Sequence, residues 1–486
     1  MFHRVTTTLS RVLWLGFGAE LRTLLKLAAP IAVSQMALGL FGMVDTAVVG
    51  RHSREAMAAT ALGNSYVQVV SLFTMGLLLG LDPIFAQRLG AGEPHGAWRA
   101  FKRGSVLAVV LFPLSVLPLG LIDVFLLRPN LGPSSMFGEL PNPFPTDPEV
   151  ARQAIAYMWW RAPGILGFLL FTVFRAWLFA QRNSGVMIIA ISLANVVNLV
   201  LDWVLVLGDP GLERIGLPAV GLPVWGATGA AIATSVCNLA MAALLIPGIL
   251  RVRRAEVAAH PNPEPEGPSF KDEARLFMKL GLPIGSQITL EMGIFAYVLW
   301  VMAGLGTIEA GAHQIAIMVA SFTFLATVGI GAAASIEVGR FIGASRTDLA
   351  RKAGIVAIVA GAGWMTLSGL VLFAFPDAIA RIFTDDVAVT ALAADLLRIA
   401  AVFQIVDGIQ SVSSGALRGA GDTRIPFLAN FVAYWLIALP VARWLAFGAD
   451  LGARGLWWGL TVGLAVVAVL LAARFLVLTR STVVRV

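Results

Sequence analysis

The sequence predicts an all-α membrane protein with twelve transmembrane helices in two six-helix lobes, related by a parallel pseudo-two-fold repeat. Three observations support this fold class. The chain is 58% apolar and only 13% charged. Its apolar stretches recur at the length that a membrane-spanning helix requires. The first half of the chain also resembles the second half at one constant offset in position.

The composition excludes several classes of protein. Soluble chains average about 45–50% apolar and about 25% charged residues. These 486 residues are therefore neither a soluble multidomain enzyme nor a disordered protein. The single cysteine, Cys237, excludes an intramolecular disulfide and a cysteine metal cluster. The net charge of +7 accompanies long apolar runs, which indicates cytoplasmic loops at an anionic leaflet and no nucleic-acid partner.

The apolar stretches are separated by short polar breaks and each is long enough for a spanning helix of about 20 residues. They are too long for the roughly 10-residue alternating strands of an outer-membrane barrel. The predicted spans are 25–49, 61–87, 104–127, 154–178, 186–207, 224–250, 276–303, 310–339, 353–375, 391–417, 425–447 and 455–478.

Lysine and arginine predict the orientation of these spans. If the N-terminus is cytoplasmic, the inner segments carry roughly three times as many Lys and Arg as the outer loops. We therefore expect a multi-pass protein of the cell inner (plasma) membrane with both termini in the cytoplasm.

The polar breaks also predict the domain organisation. Residues 1–24 form an N-terminal cytoplasmic or interfacial segment, because no small-residue cleavage site follows their short apolar piece. Residues 251–275 are rich in proline and charge, which hydrocarbon excludes, and they predict a cytoplasmic linker. The N-terminal lobe is then 25–250, the C-terminal lobe 276–478, and the cytoplasmic tail 479–486.

An ungapped offset of 253 positions aligns the two halves. It pairs Pro30 with Pro283, Gly76 with Gly329, and Gly90-Ala91 with Gly343-Ala344. Prolines and glycines carry this comparison, since apolar residues match often by chance. Six spans per half is an even number, so both halves begin on the same side and the repeats are parallel. Two facing lobes create a cleft that rocking opens to either side in turn.

Charged residues inside the spans are the candidate site, because a charge at membrane depth costs about 2.5–3.5 kcal/mol on insertion scales. Asp45 lies in span one, and Asn198 and Asp202 lie four residues apart on one face of span five. Thr234 adds a hydroxyl among small residues in span six. We expect these four to form a proton- or cation-binding cluster in the N-terminal lobe, although each acid taken singly also fits a hydrogen-bonded structural role.

The C-terminal lobe contains two further acids near the middle of their spans, Glu291 in span seven and Asp407 in span ten. They are candidate cation-binding residues for the same reason. Three other features have a simpler interpretation. We expect local ion pairs, three residues apart, between Glu337 and Arg340 and between Asp395 and Arg398. Arg161 and Arg175 fit either a counter-charge role or snorkelling to the interface.

Pro30 and Pro283 stand at matched positions in spans one and seven. A proline inside a helix removes one backbone hydrogen bond. The pair therefore predicts conformational kinks, although a fixed kink is an equally simple reading for one proline.

Motifs for soluble catalysis are missing from the sequence. It contains no GxxxxGK[ST] phosphate loop and no HExxH, and its five histidines are scattered. The chain is therefore not expected to be an enzyme, and it needs no cofactor. We expect energy from an ion gradient.

Several motifs, taken in their order and spacing, identify a family. With these motifs the sequence resembles the multidrug and toxic compound extrusion (MATE) family of exporters over roughly residues 22–475. The motifs are Val44-Asp45-Thr46, Gly90-Ala91-Gly92, Asn198–Asp202, Gly226–Thr234, Ala312–Ala316 and Leu417–Arg424.

This resemblance implies a cation-coupled antiporter that exports small organic cations or amphiphilic drugs. It assigns Asp45, Asn198, Asp202 and Thr234 to the cation network of the N-terminal lobe, and it assigns Glu291 and Asp407 to the acids of the C-terminal lobe. The coupling ion stays open. The motif from Asn198 to Asp202 is similar to the motif of a branch of the family that is usually driven by protons. The pair Glu291 and Asp407 is similar to the acids of the sodium-driven branch. Na⁺ at these residues is the only metal implied, and the expected state is monomeric.

Other functions also fit a duplicated helical scaffold. The nearest is a flippase for lipid-linked saccharides of related architecture, which would need several cavity cations. A channel or a multi-span lipid enzyme is a more distant alternative. The loop at 208–223 has no functional interpretation from the sequence.

Overall fold

A computed structural model describes residues 2–127, 146–262 and 267–486. In them the chain is helical, with no β-strand. Residues 1, 128–145 and 263–266 lie outside the described part, so Pro263–Glu266 of the predicted linker are not assigned. Side chains are described from residue 18 onward, with the exception of a few positions in α1 and α3.

Twelve helices in the described residues are long and apolar enough to cross a membrane. Numbered in chain order, they are α1 (Gly18–Val49, in a helix that begins at Phe2), α2 (Arg54–Gly90), α3 (Pro94–Phe125), α4 (Pro148–Ala180), α5 (Gly185–Arg214), α6 (Gly226–Ala259), α7 (Phe270–Leu305), α8 (Thr307–Gly343), α9 (Thr347–Ala374), α10 (Val387–Gly419), α11 (Arg424–Gly448) and α12 (Gly452–Leu478). The predicted all-α membrane fold is confirmed, and each predicted span falls on one helix.

Polar residues begin several of these helices. Ser53 precedes α2, and its hydroxyl accepts a hydrogen bond from the amide of Ala56 at 3.0 Å. Asp386 caps α10 in the same way through the amide of Val389. Pro94 occupies the first turn of α3, where its missing amide hydrogen costs no helix bond. Local sequence therefore sets these starting points.

The helices extend into the predicted linker of residues 251–275 from both sides. α6 continues to Ala259 and α7 begins at Phe270, where Ser269 accepts a hydrogen bond from the amide of Asp272. Arg253 and Arg254 therefore lie on the last turns of α6 rather than in the connection. The connection between the lobes is reduced to residues 260–269.

Large aromatic side chains are buried in both lobes. Trp177 and Tyr157 are fully buried in the N-terminal lobe, and Trp457 and Tyr434 are fully buried in the C-terminal lobe. Trp177 packs against two aromatic rings of α3, and Trp457 packs edge-on against Phe403. α11 departs from α-helical geometry, with π-helical turns at Val432–Ala438 and Trp444–Gly448.

Contacts between the lobes follow the repeat. Gly76 of α2 packs on Gly285 of α7, with room for no Cβ at Gly76, and Gly329 of α8 packs on Ala32 of α1. The offset of 253 converts the first contact into the second. A structural pseudo-two-fold axis therefore relates the lobes, as the sequence predicts.

A second pair of contacts obeys the same offset. Gly90 lies directly on the backbone carbonyl of Arg340, and Gly343 lies directly on that of Gln87. Both contacts are at the end of the bundle that carries the turns at 91–93, 181–184, 344–346 and 420–423, together with the end of α6 and the start of α7. This end is called the linker end. The opposite end, with the turns at 50–53 and 449–451 and the connection 375–386 that contains the short helix Pro376–Arg381, is called the far end.

Candidate functional site

The four polar residues predicted in the N-terminal lobe meet in one buried cluster. Asp45 comes from α1, Asn198 and Asp202 from α5, and Thr234 from α6. Asn198 and Asp202 have no exposed surface, and Asp45 and Thr234 are each 5% exposed. Burial this complete is unusual for two carboxyl groups in one place.

A hydrogen bond links two of these helices inside the cluster. The Thr234 hydroxyl lies 2.8 Å from Oδ2 of Asp45 and 2.9 Å from the carbonyl oxygen of Ala230, so it has two acceptors available. Small residues make this approach possible. Gly229, one turn before Thr234 on α6, packs against the backbone of Leu205 on α5 with no space for a side chain.

The rest of the cluster has unsatisfied polar atoms. Oδ1 of Asp45, both carboxylate oxygens of Asp202 and both amide atoms of Asn198 are buried without a hydrogen-bond partner. The Asp202 and Asp45 side chains are close enough for their charges to interact. Native proteins rarely leave so many buried polar atoms unpaired, and such atoms call for a ligand or a functional reason.

The oxygen atoms of these four side chains can act as ligands to a small hard cation. Carboxylate, amide and hydroxyl oxygens are the ligands that such cations prefer. A proton shared between Asp45 and Asp202 would satisfy the same pair of carboxylates. The cluster therefore suits either H⁺ or Na⁺.

The C-terminal lobe holds the second acidic cluster. Asp407 of α10 is 8% exposed, and Glu291 of α7 is half-buried. Their charges interact with each other and with Tyr434 of α11, whose buried hydroxyl has no hydrogen-bond partner. Tyr434 lies in the π-helical stretch Val432–Ala438. π-turns are frequent at functional positions.

Further polar groups lie on α10 near Asp407. Gln404, one turn earlier, is fully buried, and both of its amide atoms lack a partner. Gln410, one turn later, lies 3.4 Å from the amide oxygen of Asn430 on α11. Gln404 and Tyr434 were not among the residues predicted from the sequence. Their position within spans and the spacing of Gln404 to Asp407 were the signals that could have found them.

The predicted kink prolines lie inside continuous helices. Pro30 stands two residues before Ala32 of α1, and Pro283 stands two residues before Gly285 of α7, at the paired inter-lobe contacts. Both are thus placed where the lobes touch. Their role as kinks stays a prediction.

One predicted ion pair is wrong. Glu337 does not pair with Arg340; its Oε2 lies 2.6 Å from Nη2 of Arg182 in the other lobe. Arg340 instead donates to the carbonyl oxygen of Ala180 at 2.7 Å. The i, i+3 spacing permits a local pair, but helix packing at the linker end supplies closer partners across the lobes.

The other in-span charges have the following partners. Asp395 and Arg398 pair at 2.9 Å, which confirms that prediction. Arg175 donates to the amide oxygen of Gln35 at 3.0 Å instead of reaching an acidic cluster. Arg161 does border the N-terminal cluster, where its charge interacts with Asp202.

Polar contacts between the lobes lie at the linker end. Gln87 donates to the carbonyl of Gly419 at 2.9 Å, and Arg418 lies 3.7 Å from Asp82. The buried Glu273 of α7 pairs with Arg88 and Arg103 of the N-terminal lobe. In this structure the lobes are therefore joined at the linker end.

Comparison with known proteins identifies the family. The family model described as MatE matches residues 30–131 and 283–444. The two matched segments begin 253 positions apart, which is the offset of the internal repeat. The chain belongs to the MATE family.

Relatives match this MATE-family chain over nearly its whole length. The multidrug resistance protein NorM of Burkholderia vietnamiensis is 37% identical over 468 residues, which cover 94% of each chain. A probable multidrug resistance protein NorM of Deinococcus radiodurans is 35% identical over 468 residues, covering 95% of this chain and 96% of the relative.

Solved structures show the same fold. The eukaryotic MATE transporter AtDTX14 superposes with a TM-score of 0.79 at 24% identity, covering 96% of this chain and 98% of that one. An outward-facing multidrug resistance MATE family transporter gives 0.80 at 18% identity, with coverages of 95% and 97%. As a member of the MATE family, the chain is a multi-pass membrane transporter and not an enzyme.

Proposed function

We propose that this chain is an antiporter that exports small organic cations or amphiphilic drugs, driven by H⁺ or Na⁺ and working by alternating access. The two NorM relatives are named as multidrug resistance proteins, which supports the substrate class. The single observation that carries the proposal is the buried cluster of Asp45, Asn198, Asp202 and Thr234, with five polar atoms that lack a partner.

The cluster supports coupling through charge. Two buried carboxylates attract any cation, so the coupling ion and a cationic substrate compete for the same negative charge. The ion-bound and substrate-bound states of the transporter therefore oppose each other. Binding of H⁺ or Na⁺ to the acids weakens the hold on the substrate, and by linkage the substrate weakens the hold on the ion to the same degree. We assign Glu291 and Asp407 to a second cation-binding position in the other lobe.

The contacts between the lobes support the state of the transport cycle that is closed at the linker end. With the lobes joined at the linker end, the cleft between them opens toward the far end. Loss of the linker-end contacts would allow the opposite opening, with flexing at Pro30 and Pro283. The excess of Lys and Arg on the linker-end loops supports a cytoplasmic location for that end, for both termini and for the inner membrane as the site of action. We expect the monomer to be the working unit.

The experiment is transport of ethidium by the purified chain in proteoliposomes under separately imposed H⁺ and Na⁺ gradients. We expect one of the two gradients to drive ethidium movement, which identifies the coupling ion. Asp45→Asn should abolish gradient-driven transport without loss of folding. Asp395→Asn, which removes a carboxylate from an exposed ion pair on α10, is the matched control and should transport normally.

Two results would contradict the proposal. If neither gradient drives ethidium transport by the wild-type protein, the antiporter assignment fails. If Asp45→Asn transports as well as the wild type, the N-terminal cluster is not the coupling site. Conductance without exchange would indicate a channel.

A flippase for lipid-linked saccharides is the alternative with related architecture. Its pyrophosphate-linked substrate is anionic and requires cationic groups. Both buried clusters contain more carboxylates than basic groups, so they favour cationic ligands. Scrambling of a pyrophosphate-linked lipid in the same proteoliposomes would instead support the alternative.

A further inference from the structure

Arg161 of α4 lies near the N-terminal acidic cluster, on a stretch of α4 that packs against α6. The Ser235 hydroxyl of α6 donates to the carbonyl of Trp160 at 2.7 Å, and Gly164 of α4 packs directly against Ser235. Thr234, the next residue along α6, is the hydrogen-bond partner of Asp45. Residue 161 therefore lies on a part of α4 that packs beside α6, the helix that contributes Thr234 to the cluster.

The Arg161 guanidinium is only partly satisfied. It lies close to the hydroxyl of Tyr157, one turn earlier on α4. Its Nε and Nη1 atoms are buried and have no hydrogen-bond partner. A snorkelling arginine would place these atoms in the polar interface. Arg161 instead keeps two donors inside the lobe.

The titratable groups around the cluster are few. Asp45 comes from α1, Asp202 from α5, Cys237 from α6, and Tyr157 with Arg161 from α4; these groups interact electrostatically. Of these five described residues, Arg161 carries the positive charge.

These charges set how many cations neutralise the site. With both carboxylates ionised, the cluster carries two negative charges, and Arg161 contributes one positive charge. One monovalent cation then brings the site to neutrality. Without Arg161, one cation would leave an uncompensated negative charge in a desolvated place, and an uncompensated buried charge is costly.

We propose that Arg161 is a positioning residue that acts as a fixed counter-charge, so that the N-terminal site takes one monovalent cation and holds it weakly enough to release it. This inference rests on the proposed function. It adds that a basic residue on α4, which is not itself a ligand, sets the cation affinity of the site.

The test is the Arg161→Gln variant in the same proteoliposomes, with H⁺ or Na⁺ as the cation, whichever drives the wild type. A nearby opposite charge alters an acid's affinity for a proton by about 10- to 1000-fold. We expect the half-maximal cation concentration for Arg161→Gln to fall by at least about tenfold. We also expect a lower maximal rate, because the cation leaves slowly. Arg161→Lys should restore both values toward wild type.

Arg152→Gln is the matched control. It makes the same substitution on the same helix, but Arg152 is 66% exposed and pairs with Glu149 at the surface. We expect the control to keep the wild-type half-maximal concentration and rate.

Separate outcomes overturn the inference and the proposed function. An unchanged half-maximal concentration in Arg161→Gln, with cation-driven transport intact in the wild type, overturns the counter-charge role. Absence of cation-driven transport in the wild type overturns the proposed function. Arg161→Leu serves as a second neutral variant. If neither neutral variant reaches the membrane, Arg161 is required for folding and the inference is also overturned.

Discussion

Arg182 of the N-terminal lobe and Glu337 of the C-terminal lobe form an ion pair across the linker end, with 2.6 Å between Nη2 and Oε2. Arg182 lies in the turn between α4 and α5, and Glu337 lies near the end of α8. The Glu337 side chain is 5% exposed, whereas that of Arg182 is 46% exposed. Glu337 and Arg340, one turn apart on α8, therefore both contact the N-terminal lobe where α4 ends.

Loss of this ion pair should favour opening of the linker end. For Glu337→Gln we expect the state closed at the linker end to lose about 1 kcal/mol of stability. The loss is this small because Arg182 is half-exposed to solvent. That free energy corresponds to roughly a fivefold rise in the population that is open at this end. Spin-label distances between cysteines introduced at Asn183 and Ser345 would measure the change. The native Cys237 is buried and is replaced by alanine beforehand. An unchanged distance distribution would show that the pair does not hold the end closed.

Thr234→Val should tighten proton binding at the N-terminal cluster, because it removes a hydroxyl that donates a hydrogen bond to Oδ2 of Asp45 at 2.8 Å and stabilises the ionised carboxylate, while it keeps the side-chain shape. Hydrogen bonds to charged groups contribute about 1.5–3 kcal/mol. We therefore expect the half-maximal proton concentration for transport to fall by about tenfold or more. Thr234→Ser, which keeps the hydroxyl, is the control and should stay near the wild-type value. Equal behaviour of the two variants would exclude the hydrogen bond as the cause.

Gly90→Ala and Gly343→Ala should have similar effects, because the repeat places each glycine on a carbonyl of the opposite lobe. An added Cβ would collide with backbone, so both variants should lose linker-end closure and part of their thermal stability. Spin-label distances and the melting temperature would measure this. Gly185→Ala is the control, since nothing lies within 4 Å of a Cβ at that position. Opposite effects of the two variants would argue against equivalent roles for the two contacts.

Tyr434→Phe should affect transport more than folding. Its hydroxyl is buried without a partner near Glu291 and Asp407, so removal of the hydroxyl relieves an unsatisfied group. We expect a melting temperature equal to or above that of the wild type, together with a changed cation dependence of transport. A lower melting temperature with normal transport would give Tyr434 a purely structural role. Asp407→Asn, compared in parallel, should give the larger loss of transport.

The sequence by itself determined the helical architecture, the repeat and the principal acids. Hydrocarbon thickness fixes the length of a spanning helix, so the twelve spans can be recognised from apolar runs alone. The repeat could be detected because Pro30 and Pro283 share one offset with the glycines at the lobe contacts. The acids stood out because a charge inside a span is costly and requires a reason.

Only the tertiary structure decided which residues are partners. Sequence spacing describes neighbours on one helix, so it favoured Arg340 as the partner of Glu337, whereas packing of the two lobes placed Arg182 closer. The same limit left the role of Arg161 open and Tyr434 unselected, because their acidic neighbours belong to other helices. Closure at the linker end also depends on contacts between lobes, which no local pattern encodes. Periodicity and composition act along the chain, while a site assembled from several helices depends on how those helices pack.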